Sequence, residues 1–113
     1  MTLSNAQLTT LHKLLATEQD ELLSLSNSSR AARAPVELDQ QSVGRLSRMD
    51  AIQQQSMDLA REERRLLRRN IIHAALARII DETYGYCLVC GDEIPYKRLQ
   101  ADPAVTRCID CIS

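Results

Sequence analysis

Aromatic residues, glycine and proline are scarce in this chain of 113 residues, which has three tyrosines, no phenylalanine, no tryptophan, three glycines and three prolines. A large globular core normally relies on aromatic side chains, so such a core is not expected. The apolar residues are mainly leucine, isoleucine and alanine, which are good helix formers. This composition favours long helices over sheets.

Long apolar runs and a strong net charge are also missing. No stretch of about 18 apolar residues occurs, so no membrane span is predicted. The N-terminus lacks a basic start followed by an apolar run, so no signal peptide is predicted. The formal net charge of −1 does not require a nucleic-acid partner. We therefore expect a cytoplasmic protein, in a compartment where thiols bind metal more often than they form disulfides.

A first helix is predicted from a leucine heptad pattern. Five of the six positions 8, 11, 15, 18, 22 and 25 are leucine, and position 18 is glutamate. This spacing indicates a helix that packs against a partner helix. Thr2 or Ser4 is expected to cap its start. Serines, Asn27 and Pro35 in the segment that follows predict the helix end and a turn.

A second helix is predicted up to about Thr83, with a weaker apolar seam. Its start is open, with a cap at Asp39, Ser42 or Ser47. Apolar residues recur every seven positions with one histidine among them, at Ile52, Leu59, Leu66, His73 and Ile80. Two such helices joined by a short polar turn predict a mainly α fold, an antiparallel coiled-coil hairpin over residues 1–83 with its tip around 34–50. A separate C-terminal domain, which contains all four cysteines of the chain, is predicted over 84–113.

The four cysteines have the spacing of a zinc site. Cys87 and Cys90 are separated by two residues, as are Cys108 and Cys111, and 17 residues lie between the pairs. Two intervening residues let both sulfurs of a pair reach one tetrahedral ion. Four thiolates leave no open position for water or substrate, so the predicted Zn²⁺ is structural rather than catalytic. Two disulfides or free thiols are the less favoured alternative.

The cysteine segment resembles the zinc finger of the DksA/TraR family, which comprises bacterial transcription factors that bind RNA polymerase. The resemblance is carried by Gly-Tyr-Cys at 85–87, Cys-Gly at 90–91, Glu-Ile at 93–94, Arg-Leu at 98–99 and Cys-Ile-Asp-Cys at 108–111. It covers about a quarter of the chain. It implies a factor that docks at the polymerase secondary channel, directs its coiled-coil tip towards the active site and does not itself recognise a DNA sequence.

The predicted tip differs from the family pattern of Asp-x-x-Asp-x-Ala. That string is absent here, and the closest matches are Asp39 and Asp50, either of which could instead cap a helix. In the family, an arginine before the finger's proline and a lysine after the last cysteine help bind ppGpp. These positions are Asp102 and Ile112 here. We therefore expect the ppGpp contribution to be weak or absent.

Basic residues supply the candidates for polymerase docking. An arginine stripe comprises Arg61, Arg64, Arg65, Arg68 and Arg69, and the finger adds Lys97 and Arg98. Like charges four residues apart weaken a helix slightly, and an anionic partner would relieve that repulsion. The alternative interpretation is a solvated helix face with ion pairs.

Two other functions remain open beside polymerase binding. One is a zinc-finger module that binds nucleic acid directly through the Arg61–Arg69 stripe, which neutral overall charge and the lack of stacking aromatics disfavour. The other is a coiled-coil protein in which zinc stabilises a homodimer, which the weaker second seam disfavours. A monomer is therefore expected. No catalytic constellation is present, so no enzymatic activity is predicted.

Overall fold

A computed structural model describes residues 3–33 and 45–111 of the chain. The described part contains four α-helices: α1 (Asn5–Ser28), α2 (Arg30–Arg33), α3 (Arg45–Ile80) and α4 (Tyr96–Ala101). A short 3₁₀ helix spans Ile109–Cys111, and Tyr86 and Glu93 form an isolated antiparallel bridge. The mainly α fold with a C-terminal cysteine cluster is as predicted. None of the described helices is long and apolar enough to span a membrane.

Helix α1 begins with a reciprocal cap at Ser4. The Gln7 backbone N–H donates to Ser4 Oγ (3.1 Å), and the Ser4 backbone N–H donates to Gln7 Oε1 (2.9 Å). This capping box satisfies two of the N–H groups that a helix start leaves unpaired. Of the two predicted caps, Ser4 is therefore the one used. Helix α1 ends at Ser28, and one turn residue, Ser29, separates it from α2.

The chain divides into two compact units, and the first comprises residues 1–20 and 69–113. Its helical core contains Leu11 and Leu15 from α1 and Ile72 and Ala75 from α3, all fully buried. Both leucines belong to the predicted heptad pattern of α1. In this unit the predicted stripe is therefore the face that α1 buries. The rest of this unit is the finger, with its own buried residues.

The second unit comprises residues 21–68. Its buried residues among those described are polar: Ser26 of α1 and Glu62 of α3. Leu25, the last position of the predicted α1 seam, is 50% exposed. In this unit α1 therefore approaches α3 through a polar contact in place of the predicted apolar one.

The predicted seam of the second helix is wrong. Its five positions, Ile52, Leu59, Leu66, His73 and Ile80, are all exposed. The physical reason is the rotation of α3 about its axis: the residues that it buries are Glu62, Ile72 and Ala75. Glu62 makes hydrogen bonds and ion pairs in its buried position, and this orientation leaves the heptad stripe in solvent.

The ends of the second helix also differ from the predictions. Ser47 and Asp50 lie inside α3, so neither caps it. The alternative caps Asp39 and Ser42 lie outside the described residues. At the other end, α3 stops at Ile80, three residues before the predicted end. The predicted division of the chain at residues 83 and 84 stays a prediction.

Candidate metal centre

Backbone hydrogen bonds shape the first cysteine pair into a tight turn. The Gly91 N–H donates to the Cys87 carbonyl (3.0 Å), and the Cys87 N–H donates to the Asp92 carbonyl (2.8 Å). Gly91 has a φ of +78°, a conformation that glycine adopts without steric cost. The Leu88 N–H donates to the Thr106 carbonyl (2.8 Å), which holds the two cysteine-bearing segments side by side.

The four cysteine sulfurs form one cluster. All of them lie within 4.8 Å of one another, and none is in a disulfide. The Sγ atoms of Cys90 and Cys108 are 3.6 Å apart. Four thiolates about 2.3 Å from a tetrahedral zinc ion lie about 3.8 Å apart, whereas disulfide sulfurs are bonded at about 2.05 Å. The cluster therefore fits Zn²⁺ and does not fit the alternative of two disulfides.

The electrostatics of the cluster differ from one sulfur to the next. Backbone N–H groups of Cys90 and Cys108 lower the pKa of the Cys87 thiol to about 6, because they stabilise its thiolate. The Val89 N–H also donates to Cys87 Sγ, at 3.4 Å. Hydrogen bonds with Cys108 and Cys90 raise the pKa of Cys111 to about 12. Zinc binds the thiolate form, so the bound ion would hold all four groups deprotonated.

A small core next to the cysteines supports the site. The buried Tyr84 hydroxyl donates to the Pro103 carbonyl (2.6 Å), and burial raises the pKa of this tyrosine to about 12. Ile94 and Leu99, which belong to the same finger segment, are also buried. Arg98 Nε donates to the Arg107 carbonyl (2.9 Å), which links α4 to the residue before Cys108.

Comparison with known proteins agrees with this geometry. A family model described as the prokaryotic dksA/traR C4-type zinc finger matches residues 82–111. The chain carries a DksA/TraR zinc finger. The resemblance stated from the residues is thereby confirmed, and so is the predicted structural zinc, since this finger type and the four close cysteines agree.

Curated relatives of this DksA/TraR finger share its sequence over a limited stretch. "RNA polymerase-binding transcription factor DksA" of Escherichia coli K12 is 45% identical over 49 residues, which is 43% of this chain and 31% of that protein. The protein of the same name from Haemophilus influenzae Rd is 43% identical over 49 residues, 43% of this chain and 32% of that protein. The match spans about a third of the length of these relatives.

A solved structure extends the likeness to the helices. The transcription factor DksA2 from Pseudomonas aeruginosa matches with a TM-score of 0.78 at 24% identity, covering 95% of this chain and 81% of that one. At this identity the match establishes the fold. The helical hairpin that precedes the DksA/TraR finger is therefore shared with DksA2.

The predicted arginine stripe does not form one uniform surface. Arg61 pairs with Asp58 (3.2 Å), and Arg65 contacts Glu62 (3.4 Å). Arg64 is exposed, whereas Arg68 and Arg69 are half-buried. In the finger, Lys97 is exposed, and Arg98 makes the backbone contact described above. The docking roles of these residues stay predictions.

Of the two predicted tip residues, Asp39 lies outside the described residues. Asp50 is exposed, six residues into α3. Sequence reasoning missed Glu62, whose carboxylate receives a hydrogen bond and two ion pairs within the second unit. Its position among arginines is visible in the sequence, but its partners Ser26 and Arg33 become apparent only once the pairing of the helices is known.

Proposed function

We propose that this chain regulates transcription by binding RNA polymerase. The observation that carries the proposal is the DksA/TraR finger on a helical hairpin of the DksA2 fold. The finger supplies a compact surface, and zinc stabilises it without a large apolar core. In this proposal the helices α1 and α3, of 24 and 36 residues, carry the side chains that act on the polymerase. Such an arrangement acts through placement of side chains rather than through catalysis.

The finer form of the proposal places the hairpin in the polymerase secondary channel, with its tip directed towards the active site. Asp39 and Asp50 are the candidate tip residues, since carboxylates near the active site would influence its metal ions and the nucleic acid there. Exposure of Asp50 supports its candidacy. If replacing Asp39 and replacing Asp50 both leave the effect on transcription unchanged, the tip chemistry has been lost while docking remains.

Docking is proposed for the basic residues Arg61, Arg64, Arg65, Arg68, Arg69, Lys97 and Arg98. Within this set the exposed Lys97 and Arg64 are the best candidates. Arg65 and Arg98 already serve contacts inside the protein, so replacing either would disturb the fold as well as a partner. Binding through exposed charges would weaken as salt increases.

The direct test is binding of the zinc-loaded protein to core RNA polymerase, with a Gre cleavage factor as competitor for the secondary channel. We expect competed binding with a Kd of about 1 μM or tighter, equivalent to about 8 kcal/mol. Asp39→Ala and Asp50→Ala are expected to retain binding and reduce the effect on transcription, with the exposed Asp20→Ala as control. Absence of binding at tens of micromolar would contradict the proposal.

The nucleic-acid alternative is not favoured. Arg61 and Arg65 are engaged in ion pairs, which reduces the charge that the stripe offers to phosphates. Tight DNA binding at physiological salt with a steep salt dependence would support this alternative instead.

The proposal also includes a monomer, a cytoplasmic location, no sequence-specific DNA binding and little dependence on ppGpp. If adding ppGpp leaves the transcriptional effect unchanged, that result would support the expected weak dependence on ppGpp.

A further inference from the structure

Five polar residues form a closed network where the end of α1 meets α3, and we call it the Glu62 network: Ser26, Ser29, Arg33, Glu62 and Arg65. Ser26 Oγ donates to Glu62 Oε1 (2.6 Å), and Arg33 Nη1 lies 3.1 Å from Glu62 Oε2. Arg65 Nη1 lies 3.4 Å from Glu62 Oε1 and donates to Ser29 Oγ (3.2 Å). Arg33 also donates to the Ser26 carbonyl and to Ser29 Oγ.

The Glu62 carboxylate is the centre of this network. Each of its two oxygens has a charged or hydroxyl partner, and the side chain is only 10% exposed. The Arg33 and Arg65 side chains are 20% and 18% exposed, so both guanidinium groups are also largely shielded from water. One carboxylate therefore offsets two neighbouring positive charges. Removing that carboxylate would leave the two guanidinium groups close together, with their positive charges no longer offset.

The network is specific for one pairing of the helices. A shift of α3 by one heptad would bring Gln55 or Arg69 to the place of Glu62. Neither has a carboxylate to receive Arg33 and Ser26, and Arg69 would add a third positive charge. A buried polar residue on a helix–helix contact sets register because alternative pairings leave it unsatisfied. The heptad stripe of α3 is less suited to this role, because all five of its positions are exposed.

The network also anchors α2. This helix has four residues, too few to be stable alone, and Arg33 at its end is the residue that reaches Glu62. In the sequence, Arg33 is directly followed by residues 34–44, which include the candidate tip residue Asp39. The point at which the chain leaves α2 is therefore held against α3 through a single carboxylate.

We propose that Glu62 is a positioning residue: it sets the register of α3 against the end of α1 and holds α2 in place, so that the chain enters the segment 34–44 from one defined point. The consequence of this positioning role for transcription rests on the proposed function, whereas its consequence for the placement of α2 does not. These two parts are therefore tested separately.

The first test measures amide hydrogen exchange in the zinc-loaded protein. Glu62→Leu is expected to speed exchange of the Arg33 amide, which bonds to the Ser29 carbonyl (3.3 Å), by about tenfold or more. Amides around Leu11 and Leu15 should exchange as in the wild type. Glu62→Gln keeps an acceptor for Ser26 and should give a smaller increase. The control Glu63→Gln changes the exposed neighbouring carboxylate and should have no effect.

Unchanged exchange at Arg33 in Glu62→Leu would overturn the proposal, as would an equal loss of protection around Leu11 and Leu15. If Glu62→Leu does not fold, Arg33→Gln provides the same test, because it removes the contact to α2 and leaves the Glu62–Arg65 pair intact. Circular dichroism and zinc content identify a folded variant.

The second test uses core RNA polymerase. Glu62→Leu should bind within about threefold of the wild type, because the exposed docking candidates Arg64 and Lys97 are unchanged, and it should lose about tenfold of its transcriptional effect at saturation. Loss of binding in parallel with the effect would overturn the positioning role. If the wild type does not bind polymerase, the proposed function fails, and the hydrogen-exchange result alone decides whether Glu62 positions α2.

Discussion

At the scale of single residues, Glu82 carries an unusual conformation. Its φ is +63°, the sole positive value among the described residues other than glycine. The Glu82 N–H donates to the Ile79 carbonyl (3.3 Å), and the Thr83 N–H donates to the Arg78 carbonyl (2.9 Å). These bonds form a Schellman motif, the C-terminal cap in which glycine is the usual left-handed residue. The cap ends α3 and turns the chain towards the finger.

Replacing Glu82 with glycine should therefore stabilise the protein. A left-handed conformation costs a residue with a Cβ about 1–2 kcal/mol relative to glycine, and the greater freedom of glycine in the unfolded chain offsets part of this gain. We expect a net increase of about 0.5–1 kcal/mol in the free energy of unfolding, measured by urea denaturation with zinc present. Asp81→Gly, one residue earlier, is the control and should not stabilise.

Gly85 and Gly91 provide a matched pair of positions. Both have positive φ, +95° and +78°, so alanine at either should cost about 1–2 kcal/mol. At Gly85 an added Cβ would also lie 3.3 Å from Leu3 Cδ1, whereas nothing lies within 4 Å at Gly91. Gly85→Ala should therefore destabilise more than Gly91→Ala in thermal unfolding. An equal cost in a Leu3→Ala background would confirm that Leu3 causes the difference, and a persistent difference would exclude it.

At the scale of elements, α3 shows why a heptad pattern is an incomplete guide to a buried face. Its regular apolar positions are exposed, and a glutamate between arginines is buried. Apolar burial contributes about 25 cal/mol per Å², but turning the apolar stripe of α3 inwards would take the Glu62 carboxylate away from Ser26 and Arg33. The polar contact therefore determines which side of α3 faces α1 in the second unit.

Stability should depend on pH through Glu62. The hydrogen bond from Ser26, with the charges of Arg33 and Arg65, lowers its pKa below 4.5 despite the opposing effect of burial. A carboxylate with a lowered folded-state pKa stabilises the protein above the unfolded value, and this contribution is lost as pH falls through the folded value. The difference in free energy of unfolding between wild type and Glu62→Gln should therefore be constant above about pH 5.5 and shrink below 4.5.

Urea denaturation of both proteins between about pH 3 and 7 measures this difference, and zinc loss at low pH affects both alike. The control is Glu63→Gln, whose difference from the wild type should stay small throughout the range. A difference for Glu62→Gln that does not change with pH would contradict the assigned charge network.

At the scale of the whole molecule, zinc and the helices contribute to stability in different parts of the chain. The finger has a few buried residues, and metal binding can supply about 10–16 kcal/mol to fold such a segment. Removing zinc with a chelator should unfold residues 82–111, seen as loss of amide protection at Ile94 and Leu99. Most of the helical circular dichroism should remain, because α1 and α3 have 24 and 36 residues and α4 has six. Complete loss of helicity would show that the helices require the metal.

Much of the fold and of the metal centre was predictable because the relevant signals are local. The Cys-x-x-Cys spacings, the glycine after Cys90 and the leucine heptads of α1 each act over a few residues. The face of α3 was not predictable in this way, since it depends on which residues of α1 and α2 lie opposite. The partners of Arg65 and Arg98, which are Ser29 and Arg107, were missed because each lies outside the local pattern of its own helix.

The sequence by itself determined the helical class, the zinc ligands and the family of the finger, because ligand spacing and helix periodicity are properties of neighbouring residues. The tertiary structure alone decided that Glu62 is buried, that the heptad stripe of α3 is exposed and that Arg65 bonds to Ser29. These features depend on contacts between positions 36 residues apart, as in the bonds from Ser26 to Glu62 and from Arg65 to Ser29. Such contacts arise when the desolvation of charged groups is offset by well-placed partners, and that balance exists only in the folded chain.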